Sequence, residues 1–400
     1  MSISPFATIE QAPADPILGL TEAFRADPDP RKVNLGVGVY QDEAGKVPTL
    51  DVVREAEERL LKNAGSRTYL PIDGAPAYNR LVQELLLGPG SRLLSEGRVV
   101  TIQAPGGTGA LRVGADFLRR FFPGREIRIS QPSWENHRAI FEAAGFTVNT
   151  YRYYDAESHG LDFEGMMNSL AAMPDGSIVV LHACCHNPSG VDLNADQWKV
   201  VVDLFRTRSR IAFLDFAYQG LGAGIDEDAY AIRAFAEAGI PCLISSSFSK
   251  SFSLYNERVG ALSLQVGSAE EAQRVRSQLK RVIRTNYSNP PAHGAQVVAL
   301  VLGDPDLRAR WEQELAGMRS RIHSMRRLFV KTLREKGARQ DFSFIERQQG
   351  MFSFSGLSLE TVRRLRSEYS LYIVDSGRIC VAAMNTNNMD YICSAIVSLL

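Results

Sequence analysis

A lysine among hydroxyl and aromatic side chains is the first residue that could do chemistry. Residues 245–252 read SSSFSKSF, with Lys250 near the end of the run, and Arg258 follows eight residues later. A lysine held among aromatic rings can lose its proton and form a Schiff base, whereas a lysine after a strand is more commonly a solvated loop residue. Arginine and serine side chains together can clamp a phosphate. The segment therefore predicts a carbonyl-reactive lysine beside a phosphate site, with a loop lysine as the alternative.

A glycine-rich turn is a second candidate for phosphate binding. The sequence PGGTG at 105–109 follows a predicted strand and opens a predicted helix. The backbone N–H groups of such a turn lie at the positive end of a helix and can bind a phosphate. Glycine-rich turns between strands and helices also serve packing alone, so both interpretations stay open.

Two more polar groups follow predicted strands, where ligands of open α/β sheets bind. Asp215 ends a strand and Tyr218 lies on the next turn. The carboxylate of Asp215 either caps a helix or pairs with a protonated ring nitrogen. Asn187 starts an Asn-Pro turn, and its amide either only initiates that turn or also binds a ligand oxygen. Both positions are therefore candidate ligand sites.

Several common motifs are absent from the sequence. A dinucleotide GxGxxG motif read from Gly107 would need a small residue where Arg112 stands, and no GxxxxGK[ST] sequence occurs. HExxH and GxSxG motifs are also missing, which argues against a zinc peptidase and a serine hydrolase. The histidines and cysteines of 182–186 lack the spacing of a zinc site, so no metal is expected.

Short β-rich runs alternate with amphipathic helical runs through the middle of the chain. The predicted strands are 98–103, 126–130, 177–183, 210–216 and 242–247, and the predicted helices are 109–121, 137–144, 196–207 and 228–238. This alternation predicts a mostly parallel sheet covered by helices. A long amphipathic helix at 309–336 and short strands near 350–355 and 378–383 predict a second domain. The first ~45 residues are expected to pack on that domain or on a partner.

Composition favours an ordinary globular protein. The 400 residues include 45 Lys plus Arg and 45 Asp plus Glu, so the net charge is zero and nucleic acid is a disfavoured partner. Apolar runs are far shorter than the ~20 residues of a membrane helix, and the N-terminus lacks the pattern of a secretion signal. The five cysteines are irregularly spaced and fit a reducing compartment, so the cytoplasm is the expected location.

The chain is also similar, over nearly its whole length, to a known family. The segment SFSKSFSLYNERVGA resembles the lysine signature of the class I aminotransferases of fold type I. These are the aspartate and aromatic-amino-acid (tyrosine) aminotransferases, which use pyridoxal 5'-phosphate. The other matching segments are DPILGL, VNLGVGVYQDEAGKVP, TYLPIDG, QAPGGTGALR, PSWENH, CCHNPSG, FLDFAYQG, YSNPPAHGA, QGMFSFSGL and SGRICVAAMN.

The resemblance implies an α/β fold with two domains. A large domain would contain a mostly parallel central sheet flanked by helices, and a smaller domain would be α+β. The implied boundaries are an N-terminal arm at 1–14, a small domain at 15–47 and 311–400, and a large cofactor-binding domain at 48–310.

The resemblance also implies a role for each matching residue. Lys250 would form the Schiff base with the cofactor and then move the substrate Cα proton, while Asp215 would keep the pyridine nitrogen protonated. Asn187 and Tyr218 would bond the phenolic oxygen of the ring, Tyr218 as one of the catalytic residues, and Trp134 would stack on the ring face. The implied phosphate ligands are Gly107, Thr108, Ser247, Ser249, Arg258 and, from the other subunit, Tyr69.

Substrate recognition would depend on two arginines. Arg378 would receive the α-carboxylate as a bidentate pair, with a structural salt bridge as the alternative, and Gly38 would close over it. Arg284 would come from the partner subunit and meet the second carboxylate of aspartate, glutamate or oxoglutarate. Trp134 and Asn187 would contact the substrate as well. These matches imply a homodimer with composite active sites.

The expected activity is ping-pong transfer of the amino group of tyrosine, phenylalanine, tryptophan and aspartate to 2-oxoglutarate. The sequence has NPSG where NPTG is commoner and Pro71 where glycine is usual, and SGRICVAAMNTNN is nearer the aromatic enzymes. Strict aspartate specificity is therefore disfavoured. The alternatives are a narrow aspartate aminotransferase, a pyridoxal-phosphate-dependent lyase such as a β-decarboxylase, and a ligand-binding regulator on the same scaffold.

Overall fold

The structure, a computed structural model, describes residues 4–12 and 17–400. The predicted arm at 1–14 therefore lies partly outside the described residues, as do the first two residues of the DPILGL segment. Residues 4–12 are exposed along their whole length.

The described residues contain thirteen strands in four sheets. In chain order they are β1 (Val33–Asn34), β2 (Val99–Pro105), β3 (Ile127–Gln131), β4 (Val148–Arg152), β5 (Tyr154–Asp155), β6 (Gly160–Leu161), β7 (Ile178–His182), β8 (Ile211–Phe216), β9 (Cys242–Ser247), β10 (Val259–Gln265), β11 (Phe352–Phe354), β12 (Leu371–Tyr372) and β13 (Arg378–Cys380).

Helices cover the central sheet and form most of the C-terminal part. They are α1 (Leu18–Ala26), α2 (Asp51–Lys62), α3 (Pro76–Leu87), α4 (Arg92–Ser95), α5 (Gly106–Phe121), α6 (Glu135–Ala143), α7 (Phe163–Ala171), α8 (Ala195–Thr207), α9 (Ile225–Asp228), α10 (Tyr230–Glu237), α11 (Ala269–Asn286), α12 (His293–Gly303), α13 (Pro305–Glu335), α14 (Phe344–Arg347), α15 (Leu359–Tyr369) and α16 (Thr386–Val397).

The central sheet has seven strands in the order β2-β10-β9-β8-β7-β3-β4. β10 runs antiparallel to both of its neighbours, and the other six strands point the same way. The predicted, mostly parallel sheet flanked by helices is confirmed. The alternation of strand and helix did not indicate β10, because a turn rather than a helix joins it to β9.

Burial on both faces explains the composition of the central strands. β7 and β9 are buried at every residue, as expected of parallel strands with helices on both sides. β9 reads CLISSS, so its apolar beginning gives way to three buried serines at its carboxyl end. β7 ends in the polar residue His182, and Asp215 is the penultimate residue of β8. Polar groups thus gather at one edge of an otherwise apolar sheet.

The C-terminal part is built around α13, which extends over 31 residues. This helix starts at Pro305, earlier than the predicted 309, because Asp304 caps it by accepting the backbone N–H groups of Asp306 and Leu307. The predicted domain boundary at 311 therefore falls within a continuous helix. The early residues pack on this part, since β1 pairs in parallel with β12.

The predicted strand at 378–383 is correct only in its first half. Arg378–Cys380 pairs antiparallel with β11, but Val381–Ala383 forms a 3₁₀ turn. The backbone N–H groups of Val381 and Ala382 both donate to the carbonyl of Met351, which ends the strand pairing and tightens the chain into a turn.

Two absences in the described residues concern membranes and disulfides. No helix among residues 17–400 is both long and apolar enough to cross a bilayer. All five cysteines are buried free thiols.

Candidate active site

A cavity of about 240 Å³ opens beyond the carboxyl ends of β7, β8 and β9. Helix α5, the start of α6 and the β13 region close it from the sides. Twelve of the fourteen predicted site residues line it: Gly38, Gly107, Thr108, Trp134, Asn187, Asp215, Tyr218, Ser247, Ser249, Lys250, Arg258 and Arg378. The structure therefore brings together side chains that are up to 340 positions apart in the sequence, Gly38 and Arg378 being the extremes.

Lys250 lies on the turn that follows β9. Its Nζ is 5.4 Å from the ring centre of Tyr218 and 6.0 Å from that of Tyr255, so the ammonium group faces two aromatic rings. Burial and the positive charges of Arg258 and Arg378 lower the pKa of Lys250 to about 8. About a tenth of this amine is thus neutral at pH 7, far more than for an exposed lysine, and the neutral form is the one that acts as a nucleophile or proton acceptor.

Asp215 is held by a histidine that sequence reasoning missed. His137 Nε2 donates to Asp215 Oδ2 over 2.8 Å, and His137 Nδ1 lies 2.9 Å from the hydroxyl of Ser133. Burial alone would raise the pKa of Asp215, but the hydrogen bond from His137 and the electrostatic effects of His137, His182 and Lys250 together hold that pKa below its usual value. The helix-cap alternative does not apply, because the carboxylate points into the cavity. A carboxylate that is ionised at neutral pH can pair here with a cationic ring nitrogen.

The missed histidine had a weak signal in the sequence. His137 follows Trp134 within PSWENH, one turn into α6, so both side chains point to the same side of the sheet edge. Their rings meet edge to face with centres 5.3 Å apart. Spacing on a helix thus indicated a pair, but only the fold brings β8 and Asp215 against it.

Arg378 and Asn187 form a connected pair on the opposite wall. Arg378 is 1% exposed, and its Nη1 donates to Asn187 Oδ1 over 3.1 Å while its Nη2 donates to the carbonyl of Gly36 over 2.7 Å. Asn187 Nδ2 lies 3.5 Å from the hydroxyl of Tyr218. The salt-bridge alternative for Arg378 fails among the described residues, since the partners of its guanidinium are an amide and a carbonyl. Its charge is therefore available to an anionic ligand.

Arg258 and the glycine turn at the start of α5 close the other end of the cavity. Arg258 Nη1 donates to Ser249 Oγ over 3.3 Å and to the carbonyl of Tyr255 over 2.9 Å, and its partners in residues 4–12 and 17–400 include no carboxylate. The turn at Gly106 passes directly beneath it: φ there is +71°, and a Cβ would lie 2.4 Å from Arg258 Nη2. The positive φ favours glycine at 106, and a Cβ there would also displace the Arg258 guanidinium. Gly107 and Thr108 then begin α5, where helix N–H groups have no partner within the helix.

Two predicted residues, Tyr69 and Arg284, lie outside the cavity. Tyr69 is 90% exposed, and Arg284 is exposed on α11 with its Nη1 donating to Ser288 Oγ. They share one surface, because Asn289 Nδ2 donates to the carbonyl of Leu70 over 2.7 Å. The single chain therefore does not bring these two side chains to Lys250.

Phe352 and His182 also line the cavity without having been predicted. The Phe352 ring centre lies 4.3 Å from Cζ of Arg378. A Cβ on Gly38 would lie 2.7 Å from Cζ of Phe352. Gly38 is thus a glycine because an aromatic ring packs on it. Burial lowers the pKa of His182 to about 3, so this histidine is neutral. Its ring lies 5.0 Å from that of His137.

A larger cleft of about 850 Å³ lies at the other edge of the central sheet, where β8 and β9 begin. None of the predicted site residues lines it. We place the chemistry in the smaller cavity, because only there do a depressed lysine pKa, an ionised carboxylate and two uncompensated arginines converge.

The donor set of the smaller cavity fits pyridoxal 5'-phosphate. A phosphate matches the start of α5 together with the unpaired cation of Arg258. A protonated pyridine nitrogen matches the ionised Asp215, and an aldehyde matches the neutral amine of Lys250. These three functional groups of the cofactor thus have complementary partners in the cavity.

The chain belongs to the aminotransferase class I and II family, whose model matches residues 30–396. It is 58% identical over 398 residues to an aspartate aminotransferase of Pseudomonas aeruginosa, with both chains covered completely. It is 49% identical to an aromatic-amino-acid aminotransferase of Escherichia coli, covering 99% of this chain and 100% of that one. Among solved structures, an aromatic-amino-acid aminotransferase from Burkholderia pseudomallei, covalently bound to pyridoxal phosphate, superposes with a TM-score of 0.97 at 58% identity and full coverage of both chains. The protein is accordingly an enzyme, a pyridoxal-phosphate-dependent aminotransferase.

Proposed function

We propose that this aminotransferase acts on both aromatic amino acids and aspartate, with 2-oxoglutarate as the amino acceptor, in a ping-pong cycle. The observation that carries the proposal is Arg378, a buried guanidinium with no carboxylate partner in the described chain, in the same cavity as a lysine of lowered pKa. Every amino acid and 2-oxo acid has an α-carboxylate, so one such arginine serves both half-reactions.

We assign cofactor binding to the two ends of the cavity. Arg258, Ser247, Ser249 and the start of α5 at Gly107 and Thr108 are the proposed phosphate ligands. Asp215 would bind the ring nitrogen, Asn187 and Tyr218 the phenolic oxygen, and Trp134 the ring face. When bound, pyridoxal 5'-phosphate supplies a carbonyl that accepts the amino group and a conjugated ring that stabilises negative charge at Cα.

Lys250 is the proposed proton carrier. Its Nζ removes the proton from the substrate Cα and later returns a proton on the way to the product. The arginines near Lys250 favour the neutral amine, because each adds a positive charge that opposes protonation. His137 keeps Asp215 ionised throughout, since it donates to the carboxylate from a fully buried position.

Aromatic amino acids and aspartate differ in the side chain, which ends in a ring in the former and in a second carboxylate in the latter. We propose that Arg284 meets the side-chain carboxylate of dicarboxylic substrates and that Tyr69 binds the phosphate, both from a partner subunit. Their exposure on one shared surface supports this arrangement, because both side chains are accessible to a second subunit that packs on that surface. The active enzyme would then be a homodimer with composite sites.

A narrow aspartate aminotransferase is the alternative, and the name of the Pseudomonas aeruginosa relative favours it. The names of the Burkholderia pseudomallei and Escherichia coli relatives favour aromatic substrates instead. We also propose a cytoplasmic location, which agrees with five unpaired thiols. The division into an arm, a small domain and a large domain at the predicted boundaries stays a prediction.

Subunit complementation tests the composite site. Lys250→Ala and Arg284→Ala variants are purified separately, mixed under conditions that allow subunit exchange, and assayed with aspartate and 2-oxoglutarate. Exchange should give hybrids in which one site has both Lys250 and Arg284, so about a quarter of all sites regain dicarboxylate activity. If Arg284 acts in its own subunit, mixing restores nothing.

The matched control for this experiment is Arg281→Ala mixed with Lys250→Ala. Arg281 is an exposed arginine on the same helix, three residues from Arg284. Its loss should leave dicarboxylate activity unchanged before mixing. Sedimentation of the wild-type protein supplies the independent measurement of the dimer.

A further inference from the structure

Arg326 is a fully buried cation that forms no salt bridge within the described residues, although the charge of Asp192 acts on it from a distance. It is 0% exposed on α13, and all five of its hydrogen bonds go to one segment, residues 345–353. Nη1 donates to the carbonyl of Ile345 at 3.2 Å and to Ser353 Oγ; Nη2 donates to the carbonyls of Gln349 at 3.2 Å, Gly350 at 2.6 Å and Phe352 at 2.8 Å.

The main effect of these hydrogen bonds is to fix the conformation of residues 345–353; the attraction that they add between Arg326 and the segment is secondary. A buried guanidinium needs hydrogen-bond acceptors, and here four backbone carbonyls and one hydroxyl accept from Nη1 and Nη2, while Nε has no partner among the described residues. The carbonyls can converge on one side chain only when the 345–353 segment takes a single conformation. A lysine has three donors on one nitrogen and cannot reproduce the planar fork.

The same segment forms one wall of the substrate site. Phe352 packs its ring at 4.3 Å from Arg378 Cζ and meets the Tyr218 ring edge to face at 6.0 Å. In the β11–β13 pairing, Phe354 lies opposite Arg378. Phe352 therefore contacts both arginines: its backbone carbonyl accepts from Arg326, and its ring packs on the Arg378 guanidinium.

A second contact joins the segment to the loop of Asn187. The N–H of Gln349 donates to the carbonyl of Gly190 over 2.6 Å. A Cβ on Gly190 would lie 2.5 Å from the Phe352 carbonyl, so the two loops approach at backbone distance. Asn187 in turn accepts from Arg378 Nη1. The position of the segment thus affects both neighbours of the Arg378 guanidinium.

We propose that Arg326 is a positioning residue for carboxylate recognition: by anchoring residues 345–353, it sets the Phe352 ring against Arg378 and fixes the direction of that guanidinium. The inference rests on the proposed function, since it assigns to Arg378 the binding of the substrate α-carboxylate. It predicts that Arg326 affects the affinity for every carboxylate substrate and leaves cofactor binding unchanged.

The test compares Arg326→Lys with Arg334→Lys, an exposed arginine on the same helix. Dissociation constants of 3-phenylpropionate and maleate are measured by absorbance titration of the holoenzyme, together with kcat and KM for tyrosine and aspartate. Arg326→Lys should raise the dissociation constants of both carboxylates and both KM values by about tenfold or more, because the Arg378 guanidinium would no longer point at the carboxylate. The amount of cofactor that the variant retains through dialysis, measured by visible absorbance, should stay at the wild-type value. Arg334→Lys should change none of these quantities.

A double-mutant cycle separates positioning from a general loss of structure. If Arg326 acts through the aromatic ring, then Phe352→Leu should itself weaken carboxylate binding. In the Phe352→Leu background, Arg326→Lys should then reduce carboxylate affinity much less than it does in the wild-type enzyme. Fully additive effects would overturn the proposal. If Arg326→Lys does not fold, Ser353→Ala removes a single hydrogen bond of the anchor and should still weaken carboxylate binding by about threefold.

The outcomes distinguish this inference from the proposed function. A lowered melting temperature with wild-type carboxylate affinity would make Arg326 a structural residue only and refute the inference. A wild-type enzyme that binds neither carboxylate and transfers no amino group would refute the proposed function instead.

Discussion

Replacing Arg378 with alanine should weaken the reaction with every amino acid, aromatic or acidic. The side chain is 1% exposed, and two of the five N–H groups of its guanidinium are used by Asn187 and Gly36. Three N–H groups, including the buried Nε, have no partner among the described residues. An arginine with two N–H groups to spare can bind a carboxylate through both oxygens.

The magnitude follows from the loss of a buried, charge-assisted pair. Truncating one partner of such a pair costs about 2 to 5 kcal/mol, so we expect about 3 kcal/mol, or roughly 150-fold in kcat/KM. Arg378→Lys keeps the charge but loses the planar fork, so its loss should be smaller yet still clear.

The assay is steady-state transamination with tyrosine, phenylalanine and aspartate, each with saturating 2-oxoglutarate. The visible absorbance of the variant shows whether the cofactor is still bound, and thermal unfolding shows whether the fold is intact. Similar losses for all three donors support the assignment. A loss confined to aspartate, with tyrosine unaffected, would refute binding of the α-carboxylate by Arg378.

Three further predictions concern the cofactor end of the cavity. Lys250→Ala should lose steady-state transamination, and added small primary amines should restore part of it; rapid turnover without amines would show that Lys250 is not the proton carrier. Burial and Arg258 lower the pKa of Lys250 to about 8, so the fraction of neutral amine should increase as the pH rises through 8. The rate at which the cofactor-free enzyme captures a small aldehyde should increase with that fraction. A rate that rises only near pH 10, as for an exposed lysine, would contradict the burial argument. Gly106→Ala should weaken cofactor retention in dialysis by about tenfold or more, because its Cβ would lie 2.4 Å from Arg258 Nη2. Gly124→Ala, at φ +82° but with no atom within 4 Å, is the control for backbone strain alone, and equal losses in both variants would rule out the clash.

Much of the site could be predicted because its residues follow predicted strands. Asp215 is near the end of β8, and Lys250 lies three residues after the end of β9; the carboxyl ends of these strands meet at one edge of the sheet. That rule needs only the order of strands and helices, which the alternation of apolar patterns supplies. The resemblance to a family then supplied a role for each position.

Other parts of the site depend on contacts that no local pattern encodes. His137 reaches Asp215 only because α6 packs at the end of β8, and 78 positions separate the two residues. The anchor formed by Arg326 depends on backbone carbonyls, which carry no sequence signal at all. The 3₁₀ turn at 381–383 was missed for the same reason, since a carbonyl from residue 351 causes it.

Two predicted residues, Tyr69 and Arg284, show a further limit of reasoning from a single chain. Their exposure has no explanation within one subunit, although both match the family's segments. The site that we propose to be shared between subunits would be defined by the symmetry of the assembly, and neither periodicity nor burial in one chain specifies that symmetry.

The most direct test of the central claim is a single-turnover titration of the purified holoenzyme. Aspartate, tyrosine and phenylalanine are added in separate cuvettes, without any 2-oxo acid, and the visible absorbance of the bound cofactor is followed. We predict that each donor bleaches the band in one turnover and that 2-oxoglutarate restores it. Bleaching by aspartate alone would establish a narrow aspartate aminotransferase, and bleaching by none of the three would contradict the account.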